Sequence, residues 1–92
     1  MLILETTSQF RRDYKRAKKR GYDMALLKAV VDALLSGQTL DARYRDHQLT
    51  GRLKDYRECH ILPDWLLMYR IDGERLILLL GRTGSHSDLF GE

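Results

Sequence analysis

The dipeptide Asp72-Gly73 sits between two apolar runs, Trp65–Ile71 and Leu76–Leu80, and this arrangement limits the possible folds more than any other stretch. Asp-Gly suits tight hairpin turns, where the backbone enters a left-handed region that Asp tolerates and Gly adopts freely. The two flanking runs should therefore pair antiparallel, as strands Trp65–Ile71 and Glu74–Arg82. An earlier run, Leu53–Leu62, alternates. It places Tyr56, Glu58 and His60 on one face and Arg57, Cys59 and Ile61 on the other. Pro63-Asp64 turns that strand into the next, where Trp65, Leu67, Tyr69 and Ile71 lie opposite Leu66 and Met68.

Upstream the period becomes helical. Leu2-Ile3-Leu4 reads as a short strand, and Thr6, Thr7 or Ser8 can cap a helix from about Ser8 to Arg20. Phe10, Tyr14 and Ala17 share one face of it, and Gly21 suits the left-handed position after its end. Asp23 caps a second helix, Met24–Leu35, with a wide stripe of Leu26, Leu27, Val30, Val31, Leu34 and Leu35. The narrower apolar face of the first helix places it outermost, with its cations in solvent. Residues 36–51 lose periodicity and form a long connection of the kind that often carries function. The order β-α-α-β-β-β, plus a short C-terminal helix or turn, predicts one α+β domain over residues 1–92. A helical hairpin packs on one face of a mostly antiparallel sheet.

A chain of 92 residues builds a thin core, burying roughly 60–65% of the surface its unfolded form exposes. No run approaches the roughly 18 apolar residues of a membrane span, and Met1–Leu4 meets Glu5 too soon for a signal peptide. The cytoplasm is the expected compartment, and a single cysteine, Cys59, fits reducing surroundings. Net charge is only +3, yet residues 11–20 hold seven cations against one anion. Arg11, Arg12, Lys15, Arg16, Lys18, Lys19 and Arg20 thus form a candidate surface for a polyanion such as RNA. Alone, the same run reads equally well as a solvated helix face.

The densest chemistry lies in Gly81–Glu92, where Arg82, His86 and Phe90 fall within nine positions. The hairpin returns Arg82 beside Trp65 and Asp64, with His60 across the same turn. His60, Asp64, Arg82 and His86 should therefore meet at one edge of the sheet; His47 joins only if the long connection folds over that edge. Histidine is the side chain suited to moving protons near neutral pH, and a guanidinium suits a phosphorane-like state. An aromatic ring can stack on a base. Without a Gly-rich phosphate loop, this set fits RNA cleavage with the substrate's own 2′-hydroxyl as nucleophile, which requires no metal or cofactor. A zinc site of His47, Cys59, His60 and His86 is the weaker reading, because Cys59 and His60 point to opposite faces and no paired-ligand spacing occurs. Cys59, Trp65 and Tyr69 read as core, Arg57 as paired with a carboxylate, and His60 alone equally as a structural histidine. The alternative reading of Phe90 is a pin that holds the tail to the domain.

The motifs Tyr44-Arg45-Asp46-His47-x-Leu49-x-Gly51, Tyr56-Arg57-x-x-His60, Pro63-Asp64-Trp65-Leu66-Leu67-x-Tyr69 and Arg82-Thr83-Gly84-Ser85-His86-x-x-Leu89-Phe90-Gly91 closely resemble the YafQ-type toxins of the RelE/ParE superfamily. The match in motif covers about residues 40–91; the first 40 agree in pattern. Gln48 stands where Pro is common and Ser85 where Thr is common. The resemblance implies a RelE/ParE-like fold and a ribosome-dependent endoribonuclease toxin. Such a toxin cuts mRNA in the A site of the 30S subunit, against ribosomal RNA, by metal-free attack of the 2′-hydroxyl. It also implies a cognate antitoxin of ribbon-helix-helix type, DinJ/RelB-like. Carried over by position, the catalytic set is His47, His60, Asp64, Arg82, His86 and Phe90. His86 is the general acid, His60 or Asp64 the base, and His47 assists or binds phosphate. The alternative is a non-enzymatic ParE-like module acting on a protein such as gyrase. Sequence-specific DNA binding by the helices is disfavoured, since the stripe of the second helix must face the sheet.

Overall fold

Each helix begins at a side-chain cap. The Thr7 hydroxyl accepts the Phe10 amide at 2.9 Å to start α1 (Ser8–Lys19), and Asp23 accepts the Ala25 amide at 3.1 Å to start α2 (Met24–Leu35). Gly21 and Gly37 follow the two helices with φ of +83° and +78°, the left-handed region that a side chain would oppose. The structure is a computed structural model describing residues 1–91; Glu92, the end of the chemistry-rich tail, lies outside them. The remaining elements are β1 (Ile3–Thr6), β2 (His47–Gln48), β3 (Arg57–Leu62), β4 (Trp65–Asp72), β5 (Ile77–Gly84) and α3 (His86–Phe90). Single 3-10 turns occupy Ala42–Tyr44 and Gly51–Leu53. No helix among the described residues is long and apolar enough to cross a membrane.

The sheet runs β1-β5-β4-β3-β2. Only β1 is parallel to its neighbour, β5; the other pairs are antiparallel. Phe10, Leu27, Val30, Val31 and Leu34 from the helices pack on Cys59, Ile61, Trp65, Leu67, Tyr69, Leu78 and Leu80 from the sheet. Fully burying each large side chain contributes roughly 1.5–3 kcal/mol. Trp65 is a core residue, with its ring edge-on to Tyr22 at 4.9 Å. Its indole N–H donates to Thr83 Oγ1 at 2.9 Å, and that hydroxyl donates to the Leu66 carbonyl at 2.7 Å. Burial pushes the Cys59 thiol up to about 12, so it remains a protonated, inert core group.

Two expectations change in detail, and a bulge appears that was not expected. The 3-10 turn at Gly51–Leu53 takes the start of the expected strand Leu53–Leu62, which begins at Arg57. The hairpin closes with a four-residue loop, Gly73–Leu76, rather than a tight turn on Asp72-Gly73. Asp72 accepts the amides of Glu74 and Arg75, both at 3.1 Å, and Leu76 takes the left-handed conformation, at φ 56°. Gly81 is the extra residue of a β-bulge opposite Met68 and Tyr69. A Cβ there would stand 2.7 Å from Tyr56 Cε1, so the Tyr56 ring requires glycine beneath it.

Candidate active site

The register sets the site. His47, Glu58, Met68 and Arg82 are successive partners across β2, β3, β4 and β5, so they share one row on the face away from the helices. His60, Leu66 and Gly84 form the next row, and Gly84 leads directly to Ser85 and α3. The three histidines thus lie in sequence across one face. The His47 and His60 ring centres are 6.4 Å apart, and those of His60 and His86 are 5.7 Å apart. The long connection folds back far enough to bring His47 in, because its last residues pair with β3 as β2.

Arg82 lies level with Met68 rather than beside Trp65 and Asp64. The longer loop and the Gly81 bulge both move it along β4. Its position is fixed by Asp13, which is 0% exposed. Asp13 accepts Arg82 Nε at 3.0 Å and its terminal nitrogen at 3.2 Å, the Thr83 amide at 3.2 Å, Arg16 at 3.0 Å and Gln9 at 3.0 Å. Helix α1 covers the end of β5 that β1 does not reach, and Asp13 seals the exposed amide there. Burial would raise the Asp13 carboxyl; hydrogen bonds from Arg82, Gln9 and Thr83 outweigh it and hold the group below its usual range. The sequence signal existed: Phe10, Asp13 and Ala17 recur at three and four residues, and these form the buried face, whereas Tyr14 is exposed.

Asp64, in the β3–β4 turn, meets His86. One oxygen, Oδ1, accepts the His86 backbone amide at 2.9 Å and contacts Nδ1 at 2.5 Å. These two contacts, the amide first, hold the Asp64 carboxyl below its usual range. They fix the ring through Nδ1 and leave Nε2 without a hydrogen-bond partner among the described residues. His47 and His60 donate Nδ1–H to the carbonyls of Arg45 (2.8 Å) and Pro63 (3.4 Å). Their Nε2 atoms turn toward Glu58 Oε1, at 3.7 and 3.8 Å. Glu58 is 5% exposed, and its other oxygen has no hydrogen-bond partner among the described residues. Strand alternation had placed Glu58 on the His60 face without assigning it a part.

The tail is clamped rather than loose. Ser85 and Asp88 form a reciprocal capping box at the start of α3, and Asp88 also binds Arg20 at 2.7 Å and Arg16 at 3.7 Å. The Arg20 guanidinium, with help from Ser85, keeps the Asp88 carboxyl well below its usual range. Phe90 is 41% exposed, so it does not pin the tail to the core. Arg57 is paired with Asp46 (3.2 and 3.3 Å), which also accepts the Tyr69 hydroxyl at 2.6 Å; this anchors the residue just before His47.

The basic helix is less free than expected. Arg16 and Arg20 are paired with acids, Arg11 binds Thr6 and Ser8, and Arg12 binds Gln9. Lys15, Lys18 and Lys19 make no ion pair or side-chain hydrogen bond among the described residues. In chemical terms the face offers imidazoles to carry protons and one fixed guanidinium, and the exposed Phe90 ring follows at the end of α3.

The chain as a whole matches known proteins. A family model described as bacterial toxin of type II toxin-antitoxin system, YafQ, matches residues 2–91. The mRNA interferase toxin YafQ of Escherichia coli strain K12 is 40% identical over 89 residues, covering 96% of this chain and 95% of that protein. A crystal structure of the E. coli DinJ-YafQ complex superposes with a TM-score of 0.91 at 39% identity, over 99% of this chain and 100% of the other. A metal-bound toxin from Helicobacter pylori superposes with a TM-score of 0.92 at 49% identity, over 98% and 100%. With the family's pattern spanning nearly every residue and the fold shared from β1 to α3, the chain belongs to the YafQ family of bacterial type II toxin–antitoxin toxins.

Proposed function

We propose that this chain is a ribosome-dependent endoribonuclease that cuts mRNA in the ribosomal A site and is neutralised by a cognate ribbon-helix-helix antitoxin. The relative named an mRNA interferase and the relative seen with DinJ support the class of substrate and of partner. The observation that carries the chemistry is His86, held by Asp64 through one edge and open at Nε2, with the His60 ring 5.7 Å away. His60 takes the 2′-hydroxyl proton, and the 2′-oxygen attacks the adjacent phosphorus. The bond to the 5′-oxygen breaks as His86 gives that oxygen a proton. The products are a 2′,3′-cyclic phosphate and a 5′-hydroxyl end. Asp64 is occupied by His86, which leaves His60 as the base. His47 assists from the far side of Glu58. Arg82 stabilises charge gathering on the phosphorane, and Phe90 stacks on a base.

The H. pylori relative is metal-bound; the mechanism proposed for this chain uses its own side chains. Proton transfer and charge neutralisation are both supplied by side chains, so no step is routed through a metal. Lys15, Lys18 and Lys19 supply the free positive charge for ribosomal RNA. This substrate places the protein in the cytoplasm.

The test is to map cleaved ends on translated mRNA after induction, comparing wild type with His86→Ala. Cleavage should fall about 10²–10⁴-fold with the fold retained. A folded, fully active His86→Ala protein would remove His86 as the acid. Intact mRNA with altered DNA supercoiling would replace the reading with ParE-like action on gyrase.

A further inference from the structure

Next to the histidine row lies a second feature that this mechanism does not use. Strand β2 pairs only with Arg57 and Glu58, so among the described residues no strand covers the outer edge of β3 beyond Glu58. The 3-10 turn Ala42–Tyr44 packs against β3 and leaves a gap beside that edge. The gap is a cavity of about 350 Å³, bounded by Leu26, Arg43, Tyr44, Arg45, His60 and Leu62. That volume falls within the range of small-molecule sites, roughly 300–1,000 Å³.

Its lining is chemically two-sided. Leu26 is 38% exposed although it belongs to the apolar stripe of α2, and Leu62 is 47% exposed. Both reach the cavity with Tyr44, forming apolar surface for a flat ring. Arg43 and Arg45 supply two guanidiniums, and no carboxylate takes part in the lining. The Arg43 guanidinium lies over the Tyr44 ring at 4.8 Å and donates to its hydroxyl at 2.8 Å, so one cation is stacked in place. Arg45 sits in the left-handed region at φ 51°, and its carbonyl holds His47 Nδ1. His60 borders both this cavity and the histidine row. A ligand here would therefore be continuous with whatever reacts at His60.

We infer that the cavity receives one nucleotide of the RNA, next to the cleaved bond, with its base against Leu26, Tyr44 and Leu62 and its phosphate at Arg43 and Arg45. This inference rests on the proposed ribonuclease function and adds a base-reading subsite to it. Apolar walls beside paired guanidiniums match a base joined to a phosphate. The open strand edge supplies backbone groups that can bond to the polar rim of a base. Sequence preference at one flanking position then originates here rather than at the catalytic groups.

The experiment uses the full chain, with Leu26→Trp to fill the cavity and Arg43→Ala to remove a rim cation. Both positions are at the surface, and urea unfolding checks that each variant folds. Translated mRNA reporters vary the nucleotide on each side of the cleaved bond. In both variants the wild-type preference at one of these positions should flatten, and KM should rise at least about fivefold, by more than kcat falls. Folded variants with wild-type KM and unchanged preference would overturn the subsite while leaving the ribonuclease function intact. Unchanged cleavage with weakened antitoxin binding would also overturn it, showing a protein-docking edge instead. A wild type that cuts no translated mRNA would remove the proposed function, and the subsite with it.

Discussion

Replacing Asp13 should damage stability and activity together, and the size of each effect follows from its five donors. In Asp13→Ala the Arg82 charge loses its buried partner and the Thr83 amide loses its acceptor. Breaking a buried ion pair costs about 3–5 kcal/mol. The Arg82 side chain is 30% exposed and regains some hydration, so the lower end, about 3 kcal/mol, applies. A chain of 92 residues has roughly 5–14 kcal/mol in total, so this variant is left marginal. Asp13→Asn keeps one acceptor oxygen and the shape, at a cost of about 1.5–3 kcal/mol, the worth of hydrogen bonds to a charged group. It should fold, with Arg82 loosened and cleavage of translated mRNA reduced about 10–100-fold, the same energy applied to the transition state. Urea unfolding at unchanged m measures the first effect and end mapping the second. The pH dependence supplies an internal control. The carboxyl is depressed in the folded state, so its stabilisation is present above about pH 4, the unfolded value, and is lost as pH falls further. That share of the acid loss should be missing from Asp13→Asn. If Asp13→Asn unfolds within about 0.5 kcal/mol of wild type at pH 7 and cleaves equally well, Asp13 does not hold Arg82.

Three other outcomes are expected. Charge reversal at Lys15, Lys18 and Lys19 should weaken ribosome association and reduce its salt dependence, while reversal at Arg16 and Arg20 should chiefly release α3; salt-independent wild-type binding would argue against the helix as a docking surface. Thr83→Val strands the Trp65 indole N–H, and urea unfolding should show a loss of about 1–3 kcal/mol; an unchanged midpoint would mean the bond contributes nothing. Toxin treated with a chelator and desalted before it meets ribosomes should cleave at the untreated rate; activity lost and then restored by a divalent ion would bring a metal into the mechanism.

Periodicity exposed the elements with long, uninterrupted signals. The stripe of α2 and the caps Thr7 and Asp23 were legible because a helix start needs a side-chain acceptor and its packing face needs apolar residues at fixed spacing. β2 was not legible, since two residues show no period; it exists through pairing with Arg57 and Glu58. Arg82 was legible as a candidate, but its place along β4 was not. Asp72-Gly73 suggested a tight turn, and neither the left-handed Leu76 nor the bulge at Gly81 has a residue-type signature strong enough to reset the register. Asp13 and Asp88 were hidden for a different reason. Inside a run of cations Asp13 reads as charge balance, and Asp88 meets Arg20 only across 68 positions of chain, so only the folded chain shows that one buries itself beneath Arg82 while the other ties the tail to α1. The three histidines, Asp64 and Phe90 were named from their chemistry and motif order, and the structure brings the histidines and Asp64 to one face.

The parallel pairing of β1 with β5 has a consequence for how the protein comes into being. Ile3 lies against Ile77 and Thr6 against Leu80, and the Thr7 hydroxyl reaches the Gly81 carbonyl across 74 positions of chain. Contacts of such separation form late, because a long loop must close before they return any energy. A chain growing from its N-terminus keeps β1 without a neighbour until β5 has emerged, and Arg82 and His86 follow that strand. The sheet and the proposed catalytic face are therefore completed in one closing event, when β5 joins β1. A protein proposed to cut the message in a translating ribosome thus becomes competent only once the strand that carries Arg82 has joined β1.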